Sequence, residues 1–389
     1  MKMAEKPYTT VEEFKKASLK SFESLPFEPN RLFEKYIERE ELFYPKAGNK
    51  YNTLKVMSST QIKIAPGITE IPKAIGGVSI DDINSGFSSV SGLLKLHNPE
   101  DKVEAEVDAL FNQGTVLRVK EGVAVPSPMK IDISLSSSEP LFNKLVVFME
   151  PESSAKLVVT YSSTDDLNQL YGENLDLYVS EGAKLDIVLV QGASTGKNLA
   201  LNRNMIVSGN LNLTEASFGG GFVRSRNLLK LSSEGAEASL NSAILGSGQQ
   251  YFDSLTNLSH QEKGTISRVN MRAALSGSSR VLFKGVVSQE ERAIKSSAYL
   301  SEHSLLLSRD ARSNSIPSLE IKTDDVKASH SASSHPVEED KAFYLMSRGI
   351  PRAEAIKLIA FGFLNQVLSG LSEETIPMRD IVDKKVAAA

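Results

Sequence analysis

The spacing of apolar residues changes three times along this chain, and each change predicts a different kind of structure. Thr10-Val11-Glu12-Glu13 has the form of a capping box, in which a hydroxyl and a carboxylate satisfy the first free amides of a helix. It predicts a helix from about Val11 to Glu23, broken by Leu25-Pro26-Phe27-Glu28-Pro29, where two prolines remove donors and restrict the residues before them. From Arg31 to Pro99 helical and extended signals mix, and irregular α+β structure is expected. From about Gly114 the pattern becomes short alternating runs separated by small polar residues, as in strands.

These runs repeat. Ser154-Ala155-Lys156-Leu157 returns as Gly182-Ala183-Lys184-Leu185, and Gly209-Asn210-Leu211, Gly235-Ala236-Glu237-Ala238 and Gly264-Thr265-Ile266 continue the series at steps of 26 to 29 residues. An alternating run such as Leu185, Ile187, Leu189 follows each corner. A unit this short has no room for a helix pair and cannot bury its own apolar face, so it must stack on its neighbours. The repeat therefore predicts a mainly β, β-solenoid core, with a β-sandwich of regularly spaced turns as the competing architecture.

After about Ala332 the period becomes helical. His335-Pro336-Val337-Glu338-Glu339-Asp340 predicts a helix start, with proline and three acids in the first turn and Gly349 as the stop after Arg348. A second helix from Pro351 carries Ala355, Ile359, Phe363 and Val367 on one face and ends at Gly370, and a third begins near Pro377. Three regions are expected: 1–109 helical and irregular, 110–334 the solenoid, and 335–389 a helical module. Phe343, Tyr344, Ile359, Phe363 and Leu364, with Arg348 and Gly349 at the turn, form a candidate docking face for a partner. The alternative is the internal core of a helical hairpin.

Composition narrows the function. Among 389 residues, 44 Lys and Arg stand against 48 Asp and Glu, and no dense basic cluster offers a footprint for nucleic acid or anionic lipid. The polar start, Met1-Lys2-Met3-Ala4-Glu5-Lys6, lacks the apolar stretch of a secretory signal, so a cytoplasmic location is expected. The apolar run Leu358 to Leu364 is too short to span a membrane. The chain has no cysteine, which removes disulfides, thiolate nucleophiles and the usual zinc and iron–sulfur ligands.

Few residues suggest chemistry of their own. His97, His260 and His303 show no metal-ligand spacing and read as structural or surface residues, and His335 before a proline reads as a solvated cap. Asp253 fits an exposed strand carboxylate, and Asp324-Asp325 a turn between strands. Gly219-Gly220-Gly221 lacks the Lys-Ser/Thr of a phosphate loop and reads as a corner.

Four linked blocks carry a family resemblance: Leu305-Leu306-Leu307-Ser308, Pro317-Ser318-Leu319-Glu320-Ile321, Asp324-Asp325-Val326-Lys327-Ala328-Ser329-His330, and Phe343-Tyr344-Leu345-Met346-Ser347-Arg348-Gly349-Ile350. With Phe111-Asn112-Gln113-Gly114 and Pro128-Met129-Lys130-Ile131 upstream, the chain resembles the SufB/SufD family of iron–sulfur cluster assembly proteins over about Leu110 to Gly370. The resemblance implies a right-handed parallel β-helix between N-terminal α+β and C-terminal helical regions. It also implies a non-enzymatic assembly subunit that pairs with a SufB-like paralogue and docks a SufC-like ABC-type ATPase through its C-terminal helices. Without cysteines the chain resembles the SufD side, which holds no stable cluster alone, any cluster being transient on the complex. Many family members carry a cysteine two residues before the histidine matching His330, where this chain has Ala328, and His-Gly-Ala becomes His330-Ser331-Ala332. His330 is the one candidate metal ligand, completing a site of partner thiolates; a hydrogen-bonded histidine at the β-helix exit is the alternative. A homodimer working with SufC alone is a second possibility. A β-helix carbohydrate-active enzyme is a third, but the carboxylate cluster it would need is missing.

Overall fold

Alternation in the central segment turns every second side chain inward, and the small corner residues let the chain fold back over itself. The result, in a computed structural model, is a parallel β-solenoid of about 8 turns. The structure describes residues 8–29, 53–57, 61–65, 68–72, 75–368 and 378–386. From β5 (Gln113–Val119) to β20 (Lys327–Pro336), odd-numbered strands stack in a nine-stranded sheet and even-numbered ones in an eleven-stranded sheet. On β10 (Lys184–Gln191), Leu185, Ile187 and Leu189 are fully buried in the lumen, while Lys184 and Asp186 face out. Each such side chain contributes roughly 1.5–3 kcal/mol by burial.

The first turn is closed by N-terminal strands. β2 (Gln61–Ala65) pairs in parallel with β6 (Met129–Ser134), and β4 (Val78–Asp82) pairs antiparallel with β5. This is the mixed α+β region expected from the sequence, of which residues 30–52, 58–60, 66–67 and 73–74 lie outside the described residues. Helix α1 (Val11–Ser24) begins as its capping box predicts, with the Glu13 amide donating to Thr10 Oγ1 at 3.1 Å. The Glu13 carboxylate reaches one residue further back than expected, accepting from the Thr9 amide and hydroxyl at 2.7 Å each.

Corner length, which the repeat does not reveal, sets the register. Ser154 pairs with Lys184 and not with Gly182, so the two similar tetrapeptides are offset by two residues. An even offset leaves inward and outward faces unchanged, and the sequence alignment therefore still finds the core. The next corner is only Ser208-Gly209, packed against the layer below, where a Cβ on Gly209 would overlap the carbonyl oxygens of Ser180 and Ala183. Gly209→Ala should cost about 1–3 kcal/mol, because the obstacle is backbone. A melting temperature equal to wild type would show that this corner yields.

Helices cover the outside of both sheets. α1, α2 (Ile83–Leu94) and α3 (Lys102–Leu110) pack Phe14, Phe87, Val90 and Val107 on Phe142, Val146 and Tyr178 of the nine-stranded sheet. At the other end of the chain, α4 spans Glu339–Ser347, α5 Arg352–Leu368 and α6 Met378–Val386. α4 begins later than predicted: His335 and Pro336 still pair with Leu305 and Leu306 in the sheet, and Glu338 caps the helix without a side-chain bond. Gly349 ends it with φ +85°. Ala360, Leu364, Val367 and Leu368 of α5, with Val382 and Val386 of α6, pack on Val188, Ala216, Ala243, Ala274 and Leu305 outside the eleven-stranded sheet.

Candidate functional site

Each sheet ends on an uncovered strand. β19 (Arg312–Ile321) is last in the nine-stranded sheet and β20 last in the eleven-stranded one, so among the described residues the solenoid's final turn presents two free ten-residue edges. Unpaired amide and carbonyl groups along an edge are a template for another chain. His330 lies in this turn. It continues the column Val269–Leu300, both of which are buried in the lumen, and it is exposed because no further turn covers it. Ala328 and Ala332 flank it on the same face, and no hydrogen bond joins its ring to a described residue. Asp324-Asp325 forms the exposed corner before β20, as the sequence suggested.

Beneath the last turn, the lumen holds a carboxylate that strand alternation alone did not single out. Glu302, on β18 (Ser297–Leu306), is fully buried, and neither oxygen has a hydrogen-bond partner among the described residues. Burial pushes its pKa up to about 7, with only the Ser315 hydroxyl near enough to favour the charge.

The structure divides the candidate docking residues. Phe343 and Tyr344 on α4 are 70% and 59% exposed, and Arg348 lies over the Tyr344 ring at 5.4 Å. Leu364 is fully buried and Ile359 and Phe363 are half-buried, all on the solenoid wall. These three are therefore not a free docking face: the apolar excess over a helical hairpin is taken up by the outside of the sheet.

The remaining candidates resolve as structural. His97 is buried against Glu104; burial works against its charge, yet that carboxylate holds its pKa above the ordinary value. His260 is buried between the Thr265 and Ser267 hydroxyls, both at 2.8 Å, and burial lowers its pKa to about 4. His335 is no helix cap: it ends β20, half-buried, its ring edge-on to Phe363 at 6.4 Å. Gly219-Gly220-Gly221 is a corner, with Gly220 at φ +75°. Asp253 is not an exposed carboxylate. It is buried 2.7 Å from Lys284, and although burial opposes its charge, Arg226 and Lys284 hold its carboxyl below the usual range. Arg226 and Lys284 also meet Glu28, at 2.8 and 3.3 Å, and Arg224 meets Asp101 at 2.5 Å. This layer pins the N-terminal helices to the nine-stranded sheet. Among the described residues no three His, Asp or Glu side chains group as a metal site, and no helix is long and apolar enough to cross a membrane.

The class of protein is thus a parallel β-solenoid with two terminal edge strands, followed in the chain by the exposed pair Phe343 and Tyr344. Residues 133–363 match the family model described as "SUF system FeS cluster assembly, SufBD core domain". The chain is similar to the iron–sulfur cluster assembly protein SufD of Bacillus subtilis, 29% identical over 324 residues, covering 80% of this chain and 74% of that one. SufD of Escherichia coli is 25% identical over 222 residues, 57% and 52% of the two chains. A SufBD family protein of Mycobacterium tuberculosis is 25% identical over 285 residues, 70% and 71% of the two. The family match covers more than half of the sequence, so the chain belongs to the SufBD family of iron–sulfur cluster assembly proteins and is most like SufD.

Proposed function

We propose that this chain is the SufD-like scaffold subunit of a SUF iron–sulfur cluster assembly complex. In this reading a SufB-like paralogue packs against the free edges of β19 and β20, and a SufC-like ABC-type ATPase docks on Phe343 and Tyr344. The observation that carries it is the pair of ten-residue strands, β19 and β20, that end the two sheets together at one end of the solenoid, where the other end carries only short five-residue strands. Ten-residue edges suit strand-to-strand addition, where main-chain bonds give affinity and alternate side chains give specificity. With no cysteine, the chain contributes no thiolate, so it holds no stable cluster alone and His330 adds an imidazole to ligands from the partner.

The test is anaerobic reconstitution of the chain with SufB-like and SufC-like proteins of the same organism. Phe343→Ala with Tyr344→Ala should remove the ATPase while the paralogue stays bound. His330→Ala should lower cluster yield severalfold in an intact complex. Unchanged ATPase affinity, or unchanged yield in a complete complex, would remove the corresponding role. Deleting the helical tail is a poorer test than these substitutions, because it would bare the apolar strip from Val188 to Leu305.

A further inference from the structure

One patch on the outer face of the eleven-stranded sheet carries a positive charge that no described residue pairs. Arg272 on β16 (Ile266–Leu275), His303 on β18 and Ser333 on β20 pair in register. Their side chains leave the sheet in one column, from strands about 4.8 Å apart. His335, two residues beyond Ser333, projects from the same face. Arg272 is half-buried and has neither an ion pair nor a hydrogen bond among the described residues. What holds it is the Phe363 ring of α5, 4.7 Å away, and the same ring meets His335.

Several donors around this column are uncommitted among the described residues. His303 Nδ1 bonds the Ser333 hydroxyl at 2.7 Å, which leaves its Nε2 available. His335 Nδ1 donates to the Pro336 carbonyl at 3.0 Å, so its Nε2 becomes a donor only when the ring is protonated. In the neighbouring column the buried Ser331 hydroxyl oxygen has no partner among the described residues. Among the described residues, the other charged and titratable groups nearby do not neutralise Arg272. Tyr299 projects from β18, and Glu338, which feels His335, is engaged by Lys341 at 2.8 Å. Burial first, then Arg272 and His335, lowers the His303 pKa.

We propose that Arg272, His303 and His335 form a binding site for a small oxyanion of the sulfate or phosphate class. The guanidinium supplies a planar fork suited to two oxygens of one ion, and His303 supplies a neutral donor. His335 adds its donor on protonation, so binding takes up a proton. Arg272, His303 and His335 are half-buried and the Phe363 ring flanks two of them, which suits a compact ion better than a length of chain. This site stands independently of the assembly role.

Imidazole NMR signals of the full chain, followed during sulfate titration at constant ionic strength, test the proposal. Those of His303 and His335 should move along one saturating curve while His97 and His260 stay still. Arg272→Gln should weaken the affinity roughly tenfold or more, and Arg272→Lys should lose less, because it keeps the charge without the fork. Sulfate keeps its charge between about pH 7.5 and 6, so tighter binding at the lower pH reports proton uptake by the imidazoles of the site. His303→Gln provides a second variant if Arg272→Gln fails to fold. No saturable movement with sulfate or phosphate, or equal affinity in the folded variants, would overturn the site. Movement seen only on adding a partner protein, and lost with that partner's carboxylates, would also overturn it and assign the patch to protein docking.

Discussion

Replacing Lys144 by methionine should destabilise the protein by about 3–5 kcal/mol near pH 8, and part of that loss should return near pH 5.5. Lys144 lies on β7 (Leu141–Met149), almost wholly buried, with its ammonium 2.7 Å from both Asp108 of α3 and Asp176 of β9 (Gln169–Val179). The Asn174 amide also donates to Asp108, at 2.6 Å. Methionine fills the space but leaves two carboxylates facing each other out of water. Burial already pushes the Asp108 pKa up to about 6, with Lys144 opposing and Asp176 adding to the rise. Without the lysine it must climb further, so the pair takes up a proton as the pH falls and the repulsion eases. A carboxyl whose folded pKa lies above its unfolded value stabilises the fold at low pH and loses that contribution as pH rises. Urea unfolding at the two pH values measures both effects. A loss below about 1 kcal/mol, or an equal loss at both, would mean that water reaches the pair. Adding Asp108→Asn should recover part of the stability, since it removes one of the stranded charges.

Sequence and structure agree where the governing physics is local. The solenoid is legible because corners and alternation recur within one short unit, and the offset at Gly182 changes no face. The α1 cap is legible for the same reason. The start of α4 is not: Pro336 and the acids after it satisfy every local rule for a helix, yet pairing with Leu306 keeps Pro336 in β20. Asp253, Lys144, Arg224, Arg226 and Lys284 occupy outward strand positions, which alternation assigns to solvent. Only the helices packed on that face reverse the assignment, and nothing in a strand's own pattern announces them. For the tail a signal was present. The outward positions Val188, Ala216, Ala243, Ala274 and Leu305 are apolar on successive strands, a strip that must be covered. Read together with α5, it would have placed Leu364 on the solenoid before any partner was considered. Arg272, His303 and Ser333 recur about one solenoid turn apart, so the repeat could have brought them together as well.

Glu302→Gln should raise stability near pH 8 by roughly 2–3 kcal/mol and change little near pH 5. The carboxyl stands in the lumen under the last turn, opposite Gly285, where a Cβ would come within 2.8 Å of its Oε1. Burial raises its pKa from 4.5 to about 7. The fold therefore prefers the protonated group. Its contribution to stability is full below the unfolded pKa, declines as pH rises through the folded value near 7, and is absent above it. Two and a half pKa units set a ceiling of about 3 kcal/mol on the change. Glutamine keeps the shape and removes the ionisation, so the variant should lose the pH slope between about 5 and 8 that wild type shows. Thermal or urea unfolding across that range, on the isolated chain, gives the comparison. A variant that is less stable than wild type at pH 8 would show that the charged carboxylate is itself used by the fold, and that the last turn closes over a cation.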